Sequence, residues 1–307
     1  MCKSLSRLDT ALQRRLTYNK PMTGIVLCFV AGFLWSLFDV YRKLSLSEIE
    51  PISLVFILFF VQFIIFFFIN ITKVNPNSLQ NLNILLEILL IILTITSAYC
   101  FLKLLSLNEL SLIIPILSFT PAINLLLSKY LINENLSIIN LSGILLICIG
   151  GLVLYTNNTK FKSFINFKFI FTNKIFYGSI FVAFTWSLIP ILDKICIKQI
   201  GIQNHGILQS FGCALLIFIF SYRNILKNLR YLKNKKIIFT AVIGSLATIL
   251  QYFAVTLAYV AIMEAIKRGI GHLFSIIFGK VYFGETITKS KILAAFLMIP
   301  GVIFVLI

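Results

Sequence analysis

Four ionisable residues fall within nine positions of a single apolar run. Glu264, Lys267, Arg268 and His272 lie in the first half of AIMEAIKRGIGHLFSIIFGKVYFGE, residues 261–285. The run has the length of a membrane-spanning helix, and a charge at bilayer depth costs about 2.5–3.5 kcal/mol unless it faces a polar interior. Lys267 follows Glu264 by three positions and Arg268 by four, so one helical face can carry all three. Arginine offers a planar fork that grips carboxylate or phosphate, and lysine adds a compact charge. That chemistry is non-covalent capture of an anion in the wall of a cavity. A plain alternative stands beside it, in which Glu264 and the two bases form an internal salt bridge that only fixes helix packing. His272 reads as a hydrogen-bonded interior histidine or as a proton carrier, since its ordinary pKa is near neutrality.

Other polar groups inside apolar runs extend this candidate set. Asp39 and Asp193 could carry a proton or hold a substrate amine. They could equally pair with a neighbouring base, Asp39 with Arg42 or Lys43 and Asp193 with Lys194 or Lys198. Trp35 and Trp186 suit stacking on a ligand, or anchoring at the membrane interface. Tyr99, Gln251, Tyr252 and Tyr259 offer hydrogen bonds to a cavity, or ordinary contacts between helices. Glu134 and Glu285 read as carboxylates capping the starts of the spans that follow them.

The elements that must position these residues are membrane helices. The 307-residue chain is 59% apolar and only 12% charged, with a mean hydropathy of +1.00. A soluble domain would be about 45–50% apolar with about 25% charged. Runs of about 20 apolar residues, each enough to cross about 30 Å of hydrocarbon, recur along the sequence. They predict ten spans, at about 22–41, 51–71, 83–105, 110–130, 136–155, 175–195, 206–221, 237–259, 261–283 and 291–307. Residues 1–21 form a polar, basic arm, and residues 156–174 a basic linker. The second span, almost wholly apolar, is expected to face lipid. Pro115 and Pro121 in the fourth are expected to kink it.

The net charge of +17 would suit nucleic acid in a soluble protein. Here the bases lie in the arm, in loops and at span ends, where lipid headgroups meet them and where they report topology. A nucleic-acid partner is therefore excluded. Of the six cysteines, Cys28, Cys100, Cys148, Cys196 and Cys213 lie in or beside apolar runs and read as small hydrophobes. No Cys/His spacing suggests a metal, and no cofactor is implied.

The chain also repeats itself. Trp35-Ser36-Leu37 recurs as Trp186-Ser187-Leu188, a shift of 151, and the same shift brings Lys43 to Lys194, Glu134 to Glu285 and Gly150 to Gly301. Gly143 and Gly150 correspond to Ala294 and Gly301, small residues whose spacing lets helices pack closely in lipid. Tyr99 and Tyr252 match only at a shift of 153. Two halves of five spans, 22–155 and 175–307, must have opposite orientation. This is the inverted-repeat plan of secondary transporters, with a site near the midplane. The expected fold is thus an all-α integral membrane protein, ten transmembrane helices in two inverted five-helix repeats.

These features resemble the drug/metabolite transporter superfamily, and specifically its EamA-type ten-helix members. The resemblance rests on Trp35-Ser36 and Trp186-Ser187 in the first span of each half. It rests also on the half-ending patterns from Tyr130 through Glu134 to Gly150 and from Phe283-Gly284-Glu285 to Gly301. It implies a solute exporter or exchanger of small metabolites, and termini on the cytoplasmic side of a bacterial inner (plasma) membrane. Lys267-Arg268 is similar to the ninth-span pair of sugar-phosphate translocators in the same superfamily, which implies a phosphate- or carboxylate-bearing substrate.

The expected function is a secondary transporter of a small anionic or zwitterionic metabolite, driven by a proton gradient or by counter-substrate exchange. Its substrate-binding residues would be Lys267, Arg268, Glu264, Trp35, Asp39, Trp186, Tyr99, Gln251 and Tyr252. A non-transporting membrane subunit or scaffold is the alternative. An embedded enzyme is a weaker one, since HExxH, GxSxG and Walker A motifs are all missing. Basic loops at 157–175 and 222–236 would lie outside if the termini lie inside, against the usual charge rule.

Overall fold

Apolar side chains at every turn make helix the available solution in lipid, where each backbone N–H and C=O must be satisfied within its own segment. The computed structural model describes residues 2–70, 76–107, 113, 116–154, 174–284 and 286–307. Among these residues there are nine α-helices and no strand. They are α1 (Cys2–Ser45), α2 (Pro51–Asn70), α3 (Ile84–Leu107), α4 (Thr120–Ile132), α5 (Ile138–Val153), α6 (Lys174–Asn228), α7 (Lys235–Leu257), α8 (Val260–Phe283) and α9 (Lys289–Leu306). Six of them are long and apolar enough to cross a membrane. α8 has the length as well but carries Glu264, Lys267 and Arg268. Large apolar side chains such as Leu85, Ile138 and Phe220 lie more than 80% exposed on the outer surface, an arrangement suited to lipid rather than water.

Several boundaries differ from expectation. The arm before the first span is continuous with it as α1. At Pro121 the helical path is interrupted: a turn at Ser118–Phe119 precedes α4, and Pro121 occupies the first turn of that helix, where its missing N–H is harmless. Pro115 and Glu285, together with nearly all of the expected linker, lie outside the described residues. α2 is not simply lipid-facing. Leu54, Val55, Ile57 and Phe66 are buried, while Phe67, Phe68 and Ile69 on its other side are exposed.

The sixth and seventh predicted spans are the two arms of α6. They reverse direction at Gly201, whose φ of +83° and ψ of 161° lie in a region essentially reserved for glycine. The first arm packs Gly178 against Leu104 of α3 and ends near Asn83, whose N–H donates to Gln199 at 3.3 Å. The second arm returns beside α3 and places Gly212 against Ile91.

Helices meet most closely at small residues. α5 and α9 run antiparallel. A Cβ on Gly143 would sit 2.6 Å from the carbonyl oxygen of Gly301, and one on Gly150 would sit 3.1 Å from that of Ala294. α1 runs antiparallel to α7 and abuts it at both ends, Gly24 against Leu257 and Gly244 against Phe38. Ser36 Oγ reaches the carbonyl of Gly271 at 3.5 Å, and Ser187 Oγ donates to that of Thr120 at 3.0 Å. The apolar interior falls into two main clusters, one around α7 and α8, the other around α2, α3 and the first arm of α6. A cavity opens between them.

Candidate functional site

The cavity encloses about 670 Å³ and is walled by α1, α2, α3, α6, α7 and α8. That volume falls within the range of about 300–1,000 Å³ that holds small molecules. α8 contributes Lys267 and Arg268 to the wall, and the i, i+3 spacing sets Glu264 against Lys267. Lys267 Nζ donates to a Glu264 carboxylate oxygen and, at 3.2 Å, to Gln251 Oε1 on α7. It also stands 5.4 Å from the ring centre of Trp35. Glu264 itself is 0% exposed and does not line the cavity. It is the counter-ion behind Lys267.

Arg268 is held differently. Its Nε donates to Thr120 Oγ1 at 2.8 Å, and its guanidinium lies 5.5 Å from the Trp186 ring centre. Among the described residues no carboxylate stands within ion-pair distance of it. Arg42 also lies near the same ring, 5.4 Å from the Trp186 ring centre and 4.1 Å from that of Phe101. Arg42 pairs with Asp39 at 2.6 Å. Lys267 and Arg42 thus each have a carboxylate at ion-pair distance, and among the described residues Arg268 has none.

Of the nine residues expected in the site, Trp35, Asp39, Trp186, Gln251, Tyr252, Lys267 and Arg268 line the cavity. Glu264 stands behind it, and Tyr99 lies off it, packed in the second apolar cluster with Lys103 5.7 Å from its ring. The imperfect register of the Tyr99–Tyr252 match was the only sign in the sequence that these two tyrosines are not equivalent. His272, also on the wall, meets Ser118 Oγ at 3.0 Å. Trp35 Nε1 is buried and has no hydrogen-bond partner among the described residues.

Two carboxylates find other partners than the sequence proposed. Asp193 pairs with neither Lys194 nor Lys198; its Oδ1 lies 3.2 Å from His205 Nε2 and 3.1 Å from Gln209 Nε2. Lys194 turns the opposite way to Glu134, at 2.8 Å. Glu134 does not cap α5, whose N-terminus is closed by Ser137 and Asn140 in a capping box. It caps α8 instead, accepting from the Val260 N–H at 2.8 Å. Arg42, Gln62, Ser97 and Gln209 also reach the cavity. The sequence marked Arg42 only as a possible partner of Asp39, and a single polar residue in an apolar run was the sole signal for the other three.

The sequence profile of the EamA-like transporter family matches residues 22–156 and 174–307, two copies that together cover nearly the whole chain. The chain belongs to the EamA-like transporter family. It is an integral, multi-pass membrane transporter, and the family is one of carriers rather than enzymes. No curated protein matches this EamA chain. Among solved structures, one described only as a crystal structure of protein aligns over 92% of this chain and 96% of its own. Its TM-score is 0.69 and its sequence identity 13%, a likeness of fold alone.

Proposed function

We propose that this EamA protein is a secondary transporter, an exporter or exchanger, for a small metabolite bearing a carboxylate or phosphate. The observation that carries the reading is Arg268, a guanidinium on the cavity wall with no carboxylate partner among the described residues. A cation left uncompensated in a low-dielectric cavity favours an anion strongly. Trp186, beside both Arg268 and Arg42, offers a flat apolar surface to the rest of the solute. Lys267, poised by Glu264 and Gln251, adds a second positive pole, as in the sugar-phosphate translocator pair. The Asp39–Arg42 pair could open to receive the ammonium of a zwitterion.

Alternating access is supported by how the halves meet. Ser36 pairs with residue 271 and Ser187 with residue 120. Gly143 meets Gly301, and Gly150 meets Ala294. Each pair maps onto its mate under the shift of 151, with the halves exchanged. That reciprocity is the signature of a two-fold relation. The equivalent helices α5 and α9 pack antiparallel, which supports opposite orientation of two five-span repeats and hence ten spans in all. With an even number of spans the termini share one side, the cytoplasmic side of a bacterial inner membrane in this reading.

Inorganic phosphate and citrate serve as probes, read by the emission of the two tryptophans, both on the cavity wall. Both anions should change that emission saturably in the purified protein, and Arg268→Gln should weaken binding at least tenfold, about 1.4 kcal/mol. Equal binding by that variant, or a preference for the polyamine spermidine, would remove the anion site.

A further inference from the structure

One buried group of ionisable side chains has no part in anion capture. Glu87 on α3, Asp193 on the first arm of α6 and His205 on its second arm are 4%, 2% and 0% exposed. The imidazole bridges the acids, with Nδ1 3.2 Å from the Glu87 carboxylate and Nε2 3.2 Å from Asp193. Even with the histidine charged, two carboxylates against one imidazolium leave an uncompensated negative charge in the protein interior. Such a charge is costly, and one further proton removes it.

Among the described residues no lysine or arginine forms an ion pair with the group. Around it stand Cys196 and Cys213 on α6, and Tyr252 on α7, whose ring centre is 5.1 Å from that of His205. Tyr252 donates to Gln209, and Gln209 donates to Asp193. Lys194, next in sequence to Asp193, is taken by Glu134. Asp193 and Gln209 line the cavity, whereas Glu87 and His205 do not. Asp193 is therefore the member of the cluster that borders the cavity.

The position of the cluster gives protonation something to act on. Asp193 and His205 lie on opposite sides of the Gly201 reversal, so their hydrogen bond ties the two arms of α6 together, and Glu87 ties the second arm to α3. Gly206, next to His205, sits against Phe66 of α2 so closely that a Cβ would fall 2.3 Å from the ring. Movement of the second arm is thereby passed to α2.

We propose that Glu87, His205 and Asp193 form a proton-binding site, loaded from the cavity, whose occupancy sets the closure of the α6 arms and so couples proton movement to transport. The coupling rests on the transporter reading above; the proton site does not. Protonation from cavity water neutralises the cluster and weakens the Asp193–His205 bond, letting the arms part. Deprotonation draws them together.

The chain has only two histidines, so ¹³C-histidine NMR of the full-length protein in lipid nanodiscs resolves the site, with His272→Gln giving the assignment. Across a titration from about pH 4 to 10 the His205 signal should change as the cluster gains or loses its proton. Asp193→Asn and Glu87→Gln should each move that titration by more than one pH unit, and elution as a single folded species checks the variants. Arg268→Gln should leave it in place, so loss of the anion site and loss of the proton site are separate results. A His205 signal flat across the range, or a titration that neither carboxylate substitution moves, would overturn the assignment. A signal that moves only on adding Zn²⁺ would overturn it too, making the cluster a metal site.

Discussion

Arg268 and Lys267 are neighbours in sequence with different partners. Lys267 Nζ is matched to Glu264, which is fully buried. Removing the lysine leaves a carboxylate stranded in the interior, a change that costs about 3–5 kcal/mol. Lys267→Ala should therefore lower the thermal unfolding midpoint in detergent, and adding Glu264→Gln should recover most of the loss. Arg268→Gln strands no carboxylate and should leave the midpoint nearly unchanged while removing anion binding. The helical spacing made the Glu264–Lys267 contact legible in the sequence. It did not reveal that Arg268 turns to Thr120, 148 positions away. Asp39 resolved the other way, since the local option of pairing with Arg42 is the one observed. Asp193 rejected its local options for His205, because at 2% exposure it needs partners that only the second arm of α6 supplies.

At the scale of elements, close approach and reversal are the sensitive points. Gly143→Leu would drive a side chain into the backbone of α9, where even a Cβ is 2.6 Å from an oxygen. Overpacking of this kind costs about 1–3 kcal/mol, and a lowered unfolding midpoint should follow. The match of Gly143 and Gly150 to Ala294 and Gly301 made these positions visible in the sequence. Gly201→Ala should be destabilising by about 1–3 kcal/mol through backbone strain, although open space surrounds it apart from Gln203. The sequence placed a break between two spans there without indicating that the arms fold against each other. The loop after α1 is fastened to the start of α7 by Glu48, which accepts from Lys236 at 2.8 Å and from Asn234 at 2.6 Å. Those bonds, with Lys236 foremost, hold the Glu48 carboxyl below its ordinary range. A carboxyl with a depressed folded-state pKa contributes stability above the unfolded value, about 4.3, and loses it as pH falls through the folded value. Glu48→Gln should flatten that part of the acid stability profile and leave neutral-pH stability nearly unchanged, since exposed pairs are worth about 0–1 kcal/mol.

Over the whole molecule, the apolar runs marked out the helices because hydrocarbon thickness fixes their length. The small residues matched by the shift of 151 are the ones at which α5 and α9 meet. What could not be read was the buried Glu87–His205–Asp193 group, whose acids stand 106 positions apart. It comes together only when α3 packs against both arms of α6. One proposal joins these levels: the cavity is a carrier site in which Arg268, without a carboxylate partner among the described residues, selects an anion. Counter-exchange in proteoliposomes loaded with a mixed pool of cellular metabolites and read by mass spectrometry tests it most directly. The wild-type protein should exchange phosphorylated or carboxylated solutes and spare cations, and Arg268→Gln should abolish that exchange in a folded protein. Undiminished exchange by the Arg268→Gln protein, or selective movement of cations, would contradict it.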